Sequence, residues 1–156
     1  MTKRYCYWSV ADGDYVPMMA RTIESARRVG VFKDFHVWAD RPVPGAVNHR
    51  LGKLDKRLGL FKIRMLREKL KRLNYDYFVW LDADSWFVRH PGDVLRVLGR
   101  SPVHVALESD ASATSTSGKR WYGCRLQEFA ELARHEGTPN RSVFTCNGGL
   151  YIVHRD

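Results

Sequence analysis

The sequence predicts an α/β fold. Short apolar and aromatic runs of strand length recur along the chain, and segments with helical periodicity separate them. The run Tyr77–Leu81 has no polar alternation, which is typical of a central strand buried on both faces. Strands that alternate with helices indicate a sheet covered by helices.

The composition is that of an ordinary globular domain. The chain has 156 residues, of which 44% are hydrophobic and 28% charged, so a disordered or fibrous chain is excluded. No apolar run approaches the roughly 20 residues of a membrane span, and no secretory signal precedes the first apolar run. The three cysteines are widely spaced, which predicts free thiols and no zinc site. We therefore expect one cytoplasmic domain over residues 1–156.

Five elements are expected in the first part of the chain. In order, they are a strand over residues 5–10, a turn over 11–14, a helix from Pro17 to about Gly30, a strand over Phe35–Ala39, and a loop over 40–59. The loop is predicted because its residues include two prolines and three glycines.

The second part begins with leucine and isoleucine residues every three or four positions, which predicts an amphipathic helix with a cationic outer face. The elements expected here are that helix over residues 60–73, strand Tyr77–Leu81, a helix from Asp93 to residue 98, strand Val103–Leu107, a loop over 108–119, a helix over 121–135 and a last strand over 150–153.

Asp82 and Asp84 follow directly on the apolar run Tyr77–Leu81 and form the strongest motif. Side chains two apart in extended backbone emerge on the same face, and the carboxyl ends of strands are where open α/β sheets bind ligands. Paired carboxylates suit a hard divalent cation, Mg²⁺ or Mn²⁺, which keeps phosphate oxygens among its ligands. The alternative is a solvated turn whose aspartate caps a helix.

A second polar pair, Asp12 and Tyr15, follows the first predicted strand. Asp12 is a candidate acceptor for a nucleobase N–H, and Tyr15 a candidate ring for stacking on the base. The alternative is a polar turn with a core tyrosine. Near the C-terminus, the segment Asn147-Gly148-Gly149 either lets the backbone approach a ligand closely or forms a tight turn.

The net charge of +9 predicts an anionic partner. Residues 50–72 contain ten Lys or Arg against only Asp55 and Glu68. Lys62 and Arg64 are therefore candidates for a phosphate contact, although a solvated cationic face explains most of this charge.

In their order along the chain, these motifs resemble the nucleotide-sugar half of GT-A glycosyltransferases, most closely family 8, with its glycogenin-like and galactosyltransferase-like members. The resemblance implies a Rossmann-like, mostly parallel sheet and a hexosyltransferase that uses a UDP-sugar. It also implies roles for particular residues: Ala11, Asp12 and Tyr15 at the uridine, Lys62 or else Arg64 at the donor, Asp82, Ala83 and Asp84 at Mn²⁺ (or Mg²⁺) and the diphosphate, Asp110 or else Glu108 at the donor sugar, and Asn147 and Gly148 in the sugar site.

The resemblance extends from about Tyr5 to Val153, and the chain departs from it after the last predicted strand. Family members continue there through an acceptor-binding part that includes a further metal-ligating His, and His154 lies too close to that strand to match this His. We therefore expect the donor half of such an enzyme, either as a shortened form or as a minimal enzyme that works with a partner, for which a second copy of the chain is a candidate. The acceptor, whether a saccharide, a lipid or a protein, stays open. Glu108 and Asp110 are the candidate bases if transfer inverts the anomeric centre; the family 8 resemblance implies retention.

Two other classes compete with this interpretation. A strand ending in D-x-D also opens the site of haloacid dehalogenase-type phosphohydrolases, but Ser85-Trp86 departs from their usual Gly-Thr turn. The cationic segment alone predicts a module that binds nucleic acid or an anionic membrane. A cationic helix that docks a transferase on a membrane combines both ideas.

Overall fold

The computed structural model describes residues 4–52, 62, 64–65, 68–92, 103–107, 120–121, 124–125, 135 and 146–155. Their elements are β1 (Tyr5–Ala11), α1 (Tyr15–Arg28), β2 (Phe35–Ala39), β3 (Val47–Arg50), a 3₁₀ helix (Leu70–Arg72), β4 (Tyr77–Leu81), β5 (Val103–Leu107), β6 (Arg120–Trp121), β7 (Cys124–Arg125) and β8 (Cys146–His154). No helix in these ranges is both long and apolar enough to cross a membrane.

Six of the strands form one mixed sheet in the order β3-β2-β1-β4-β8-β5. The pairs β1–β2, β2–β3 and β1–β4 are parallel, whereas β4 and β8 are antiparallel. Strands β6 and β7 form a separate antiparallel pair. The predicted α/β class is confirmed.

The core lies on both faces of the sheet because alternate residues of β1 and β4 point to opposite sides. On one face, Tyr7 and Val79 pack with the buried side of α1, which includes Met19 and Ile23. On the other face, aromatic side chains dominate; Trp8, Trp38, Phe78 and Trp80 belong to this second cluster. All five residues of β4 are buried, as the unbroken apolar run predicts.

The chain comprises two compact units, residues 1–104 with 149–156 and residues 105–148. The prediction of a single domain over residues 1–156 stays a prediction.

Three local predictions are wrong. Strand β3 lies inside the segment 40–59 that was predicted as a loop. This short strand has no apolar pattern and forms by pairing with β2. The helix predicted from residue 121 does not begin there, because Trp121 pairs with Cys124 in a small hairpin. Asn147-Gly148-Gly149 lies within β8 and forms neither a turn nor a segment before the last strand.

The other predicted elements are described to different extents. Helix α1 starts at Tyr15, two residues before Pro17, and ends at Arg28. In the predicted helix over residues 60–73, residues 62, 64–65 and 68 are helical and Leu70–Arg72 is a 3₁₀ turn. The predicted helix over 93–98 and the loop over 108–119 lie outside the described residues.

Candidate functional site

The candidate site lies where the neighbouring parallel strands β1 and β4 end. Trp8 of β1 is in register with Trp80 of β4, so the segments that follow the two strands emerge at the same edge of the sheet. One of these segments contains Asp12 and Tyr15, and the other contains Asp82 and Asp84.

A cavity of about 250 Å³ opens between the two segments; it is lined by Val10, Asp12, Tyr15, Trp80, Asp82, Ala83 and Asp84. The structure therefore brings the candidate nucleobase pair and the D-x-D motif to one recess. Ala11, in contrast, is only 1% exposed and packs in the core.

The first segment is held by the residues that follow β2. The Gly13 N–H donates a hydrogen bond to Asp40 Oδ2 at 3.1 Å, and Arg41 Nη2 donates one to the Gly13 carbonyl at 2.8 Å. Gly13 has a φ of 52°, which is a left-handed conformation that favours glycine. This bracing leaves the Tyr15 side chain 52% exposed at the cavity, which suits a stacking platform.

The second segment is held by buried hydroxyl groups. Ser9 Oγ donates to the Leu81 carbonyl at 2.7 Å, and Thr22 Oγ1 lies 2.8 Å from the Ala83 carbonyl oxygen and 2.6 Å from that of Ser85. Both hydroxyl residues are fully buried. The backbone of the D-x-D motif is thus anchored to β1 and α1. The carboxylates of Asp82 and Asp84 therefore project from backbone that these contacts hold in place.

The two aspartates of the motif differ in their surroundings. Trp80 Nε1 donates a hydrogen bond to Asp82 Oδ1 at 2.9 Å, and Lys62 Nζ lies 3.6 Å from the same oxygen. Asp84 is exposed at the cavity. Asp82 is therefore the restrained carboxylate of the pair.

Lys62 is the candidate cation that reaches the motif. Its Nζ lies 4.0 Å from the centre of the Trp80 ring, and its side chain is only 17% exposed. Burial lowers the pKa of the Lys62 ammonium, and the nearby Asp82 carboxylate opposes this shift. Arg64, the second choice, is instead paired with Glu68 at 3.2 Å and largely exposed.

The donor chemistry of the cavity fits a hard divalent cation, because Asp82 and Asp84 supply carboxylate oxygens at one recess. Within the part of the chain that the structure describes, no three or more His, Cys, Asp or Glu side chains are grouped so that they could hold a metal ion. A cation held by this pair would complete its shell with water and substrate oxygens, as Mg²⁺ commonly does. Metal binding stays a prediction.

Several residues that hold the segments of the candidate site were not predicted from the sequence. Trp80 was detectable, because it lies two positions before Asp82 on the side of the strand that continues toward the cavity. Ser9 and Thr22 carry a weaker signal, a hydroxyl at an otherwise apolar core position. Asp40 and Arg41 carry none, because their contact with Gly13 spans 27 and 28 residues.

The remaining candidates are described in part or not at all. Glu108 and Asp110 lie outside the described residues. For Asn147 and Gly148 the structure describes the backbone, which belongs to β8.

Comparison with known proteins supports the fold. The sequence matches no protein-family model, and it has no significant match among the curated proteins. Among solved structures, the apo form of the bifunctional glycosyltransferase WbbM aligns with the whole of this chain, with a TM-score of 0.63 and 13% sequence identity. The chain spans about a third of that structure, 32% of its length. The likeness shows that this chain has a glycosyltransferase-like fold.

Proposed function

We propose that the chain is the donor-binding half of a metal-dependent glycosyltransferase that uses a UDP-sugar. The observation that carries the proposal is the single cavity at the ends of β1 and β4, at which Asp12, Tyr15, Asp82 and Asp84 meet. A nucleobase acceptor and a stacking ring can bind the base of a nucleoside diphosphate, and two carboxylates can bind its phosphate oxygens through a divalent cation. The likeness to family 8 enzymes belongs to this proposal.

In this proposal each segment binds a different part of the donor. Tyr15 stacks on the uracil ring, and Asp12 accepts a hydrogen bond from its N–H. Asp82 and Asp84 lie at the diphosphate and hold the cation, Mn²⁺ or Mg²⁺, which when bound neutralises the diphosphate charge. The Lys62 ammonium adds positive charge beside Asp82, which offsets the charge of the departing diphosphate.

Transfer joins an acceptor hydroxyl oxygen to the anomeric carbon and breaks the bond from that carbon to the diphosphate oxygen. The hydroxyl proton passes to the departing diphosphate or to a carboxylate base. Retention of configuration, which the family 8 likeness implies, requires no separate base. For inversion, Glu108 and Asp110 are the candidate bases. The proposed acceptor is a saccharide, a lipid or a protein, and a second copy of this chain is a candidate partner.

Replacing Tyr15 by alanine tests the nucleobase subsite. We expect Tyr15→Ala to weaken binding of metal-free uridine by about 10-fold, because base–aromatic stacking contributes roughly 1–3 kcal/mol. Tyr15→Phe is the matched control, since it keeps the ring and should bind within about twofold of the wild type. Calorimetry with uridine measures both affinities. Equal affinities for the alanine variant and the wild type would contradict the proposed subsite.

A phosphate-release assay tests the alternative function. Release of inorganic phosphate by the protein, without transfer of a sugar, would favour a phosphohydrolase.

A cationic recess supports the proposal that the protein also contacts an anionic membrane. A cavity of about 520 Å³ has Arg50, Arg64 and Lys69 in its lining, beside apolar groups that include Trp38. Among the described residues of that lining, Glu68 is the only acidic one. This charge matches the phosphate of an anionic lipid headgroup.

We expect Lys69→Ala to reduce binding to phosphatidylserine vesicles by about fivefold at low salt, the effect of one basic residue near such a surface. The control is Lys33→Ala, which removes an exposed cation beside Tyr5. Vesicle co-sedimentation gives both affinities. Equal losses in the two variants, or binding to an oligonucleotide but not to vesicles, would refute the proposed lipid contact.

A further inference from the structure

We infer that Trp80 is a positioning residue for the cation site: its indole N–H holds one oxygen of Asp82, so that the other oxygen faces the cation. This inference rests on the proposed function. Trp80 Nε1 donates to Asp82 Oδ1 at 2.9 Å. The described residues provide neither a hydrogen bond nor an ion pair to Oδ2 of the same carboxylate.

The Trp80 ring is fixed by its neighbours. It is 2% exposed, its centre lies 4.5 Å from that of Trp8 at an angle of 70°, and it stacks on Tyr151 with centres 5.8 Å apart and planes 10° apart. Because these contacts leave the indole no room to turn, the direction of its N–H is set before any ligand arrives. The orientation of the Asp82 carboxylate follows from it.

Lys62 supports the same arrangement. Its ammonium lies over the Trp80 ring and close to Asp82 Oδ1, at 4.0 Å from the ring centre and 3.6 Å from the oxygen. The neutral indole N–H and the Lys62 ammonium therefore both lie on the Oδ1 side of the carboxylate, and Oδ2 is the oxygen that stays available to a cation. A hydrogen-bond partner that orients a ligating carboxylate typically contributes 10- to 100-fold in metal affinity.

The chain offers a matched pair of variants for this inference. Trp80→Phe removes the N–H but keeps an aromatic ring against Trp8, Tyr151 and Lys62. Trp8→Phe makes the same chemical change in the same core cluster and keeps an aromatic ring against Trp80. No described residue offers a hydrogen-bond partner to the buried Trp8 Nε1. We expect Trp80→Phe to weaken Mn²⁺ binding by about 10-fold and Trp8→Phe by less than twofold, measured from the paramagnetic resonance signal of free Mn²⁺.

The indole N–H resonances report on the hydrogen bond from Trp80 to Asp82, which separates loss of this bond from loss of packing. The Trp80 indole signal in a ¹H–¹⁵N spectrum is identified as the one that disappears in Trp80→Phe. Asp82→Ala should shift this signal and leave the Trp8 signal in place. Titration of the wild type with Mg²⁺ should shift the Trp80 signal as well. If Trp80→Phe does not fold, wild-type and Asp82→Ala spectra decide: identical indole signals would overturn the inference.

The outcomes separate the inference from the proposed function. Equal Mn²⁺ affinities in Trp80→Phe and Trp8→Phe would refute the role of Trp80 and leave the metal site standing, provided that the wild type binds Mn²⁺. A wild type that binds no Mn²⁺, with or without UDP, would overturn the metal-dependent function and the role of Trp80 together.

Discussion

Asp84→Asn is expected to weaken Mn²⁺-dependent binding of UDP by more than about 100-fold. The asparagine keeps the size of the side chain and removes the charge that a hard divalent cation requires. Losing a direct ligand should exceed the roughly 10- to 100-fold cost of losing a residue that only orients one. Because Asp84 is exposed and lies in a turn after β4, the fold should tolerate the change. Calorimetric titration of UDP with saturating Mn²⁺ measures the effect.

Asp14→Asn is the matched control for this experiment. Asp14 is an exposed carboxylate in the segment after β1, but it does not line the cavity and its side chain does not cap α1. A general electrostatic effect of removing one carboxylate would change UDP affinity similarly in both variants, whereas loss of a metal ligand would weaken UDP binding in Asp84→Asn alone. If Asp84→Asn and the wild type bound UDP equally in Mn²⁺, the two-carboxylate metal site would be disproved.

The central part of the fold was predictable because its signals are local. The continuous apolar run Tyr77–Leu81 specifies a strand buried on both faces, and the structure has that strand with those bounds. Asp12 and Asp82 each follow a buried strand, so a parallel arrangement of β1 and β4 brings them to the same edge. Apolar runs that are followed directly by aspartates were thus enough to predict where the candidate site lies.

The elements that were missed depend on partners distant in sequence. Residues 47–50 carry no apolar alternation and become a strand through hydrogen bonds to β2. Cys124 pairs with Trp121 across a tight hairpin, although the surrounding residues have helical patterning. In both places backbone pairing overrides the propensity of the side chains, which a scan of single residues does not detect.

The frame of the site was missed for a related reason. Thr22 lies in α1, 61 and 63 residues before the carbonyl groups of Ala83 and Ser85 that its hydroxyl approaches. A threonine on a helix is unremarkable in the sequence; it acquires a role only when the D-x-D turn packs on α1. The buried polar contacts of this site therefore depend on tertiary structure, whereas its exposed carboxylates are recognisable from the D-x-D motif in the sequence.

Thr22→Val is expected to lower the free energy of unfolding by about 2 kcal/mol and to weaken Mn²⁺ binding severalfold. The valine preserves the shape of the side chain but removes the single hydroxyl donor that the carbonyl oxygens of Ala83 and Ser85 share, so one carbonyl of the D-x-D turn loses its hydrogen bond. Such a loss typically costs roughly 1–3 kcal/mol. For a chain of this size, 2 kcal/mol corresponds to a fall in Tm of about 4–8 °C. Thermal unfolding and Mn²⁺ titration at a temperature well below both transitions measure the two effects separately.

Thr22→Ser separates the hydroxyl from the methyl group. The serine keeps the hydroxyl donor beside the Ala83 and Ser85 carbonyls and loses one buried methyl. Its Mn²⁺ affinity should therefore match the wild type even though its Tm falls by a few degrees. A Thr22→Val protein with wild-type Mn²⁺ affinity and a reduced Tm would show that the hydroxyl stabilises the fold without orienting the metal site. Reduced Mn²⁺ affinity in the valine variant alone would instead show that a buried helix side chain sets the geometry of the two carboxylates.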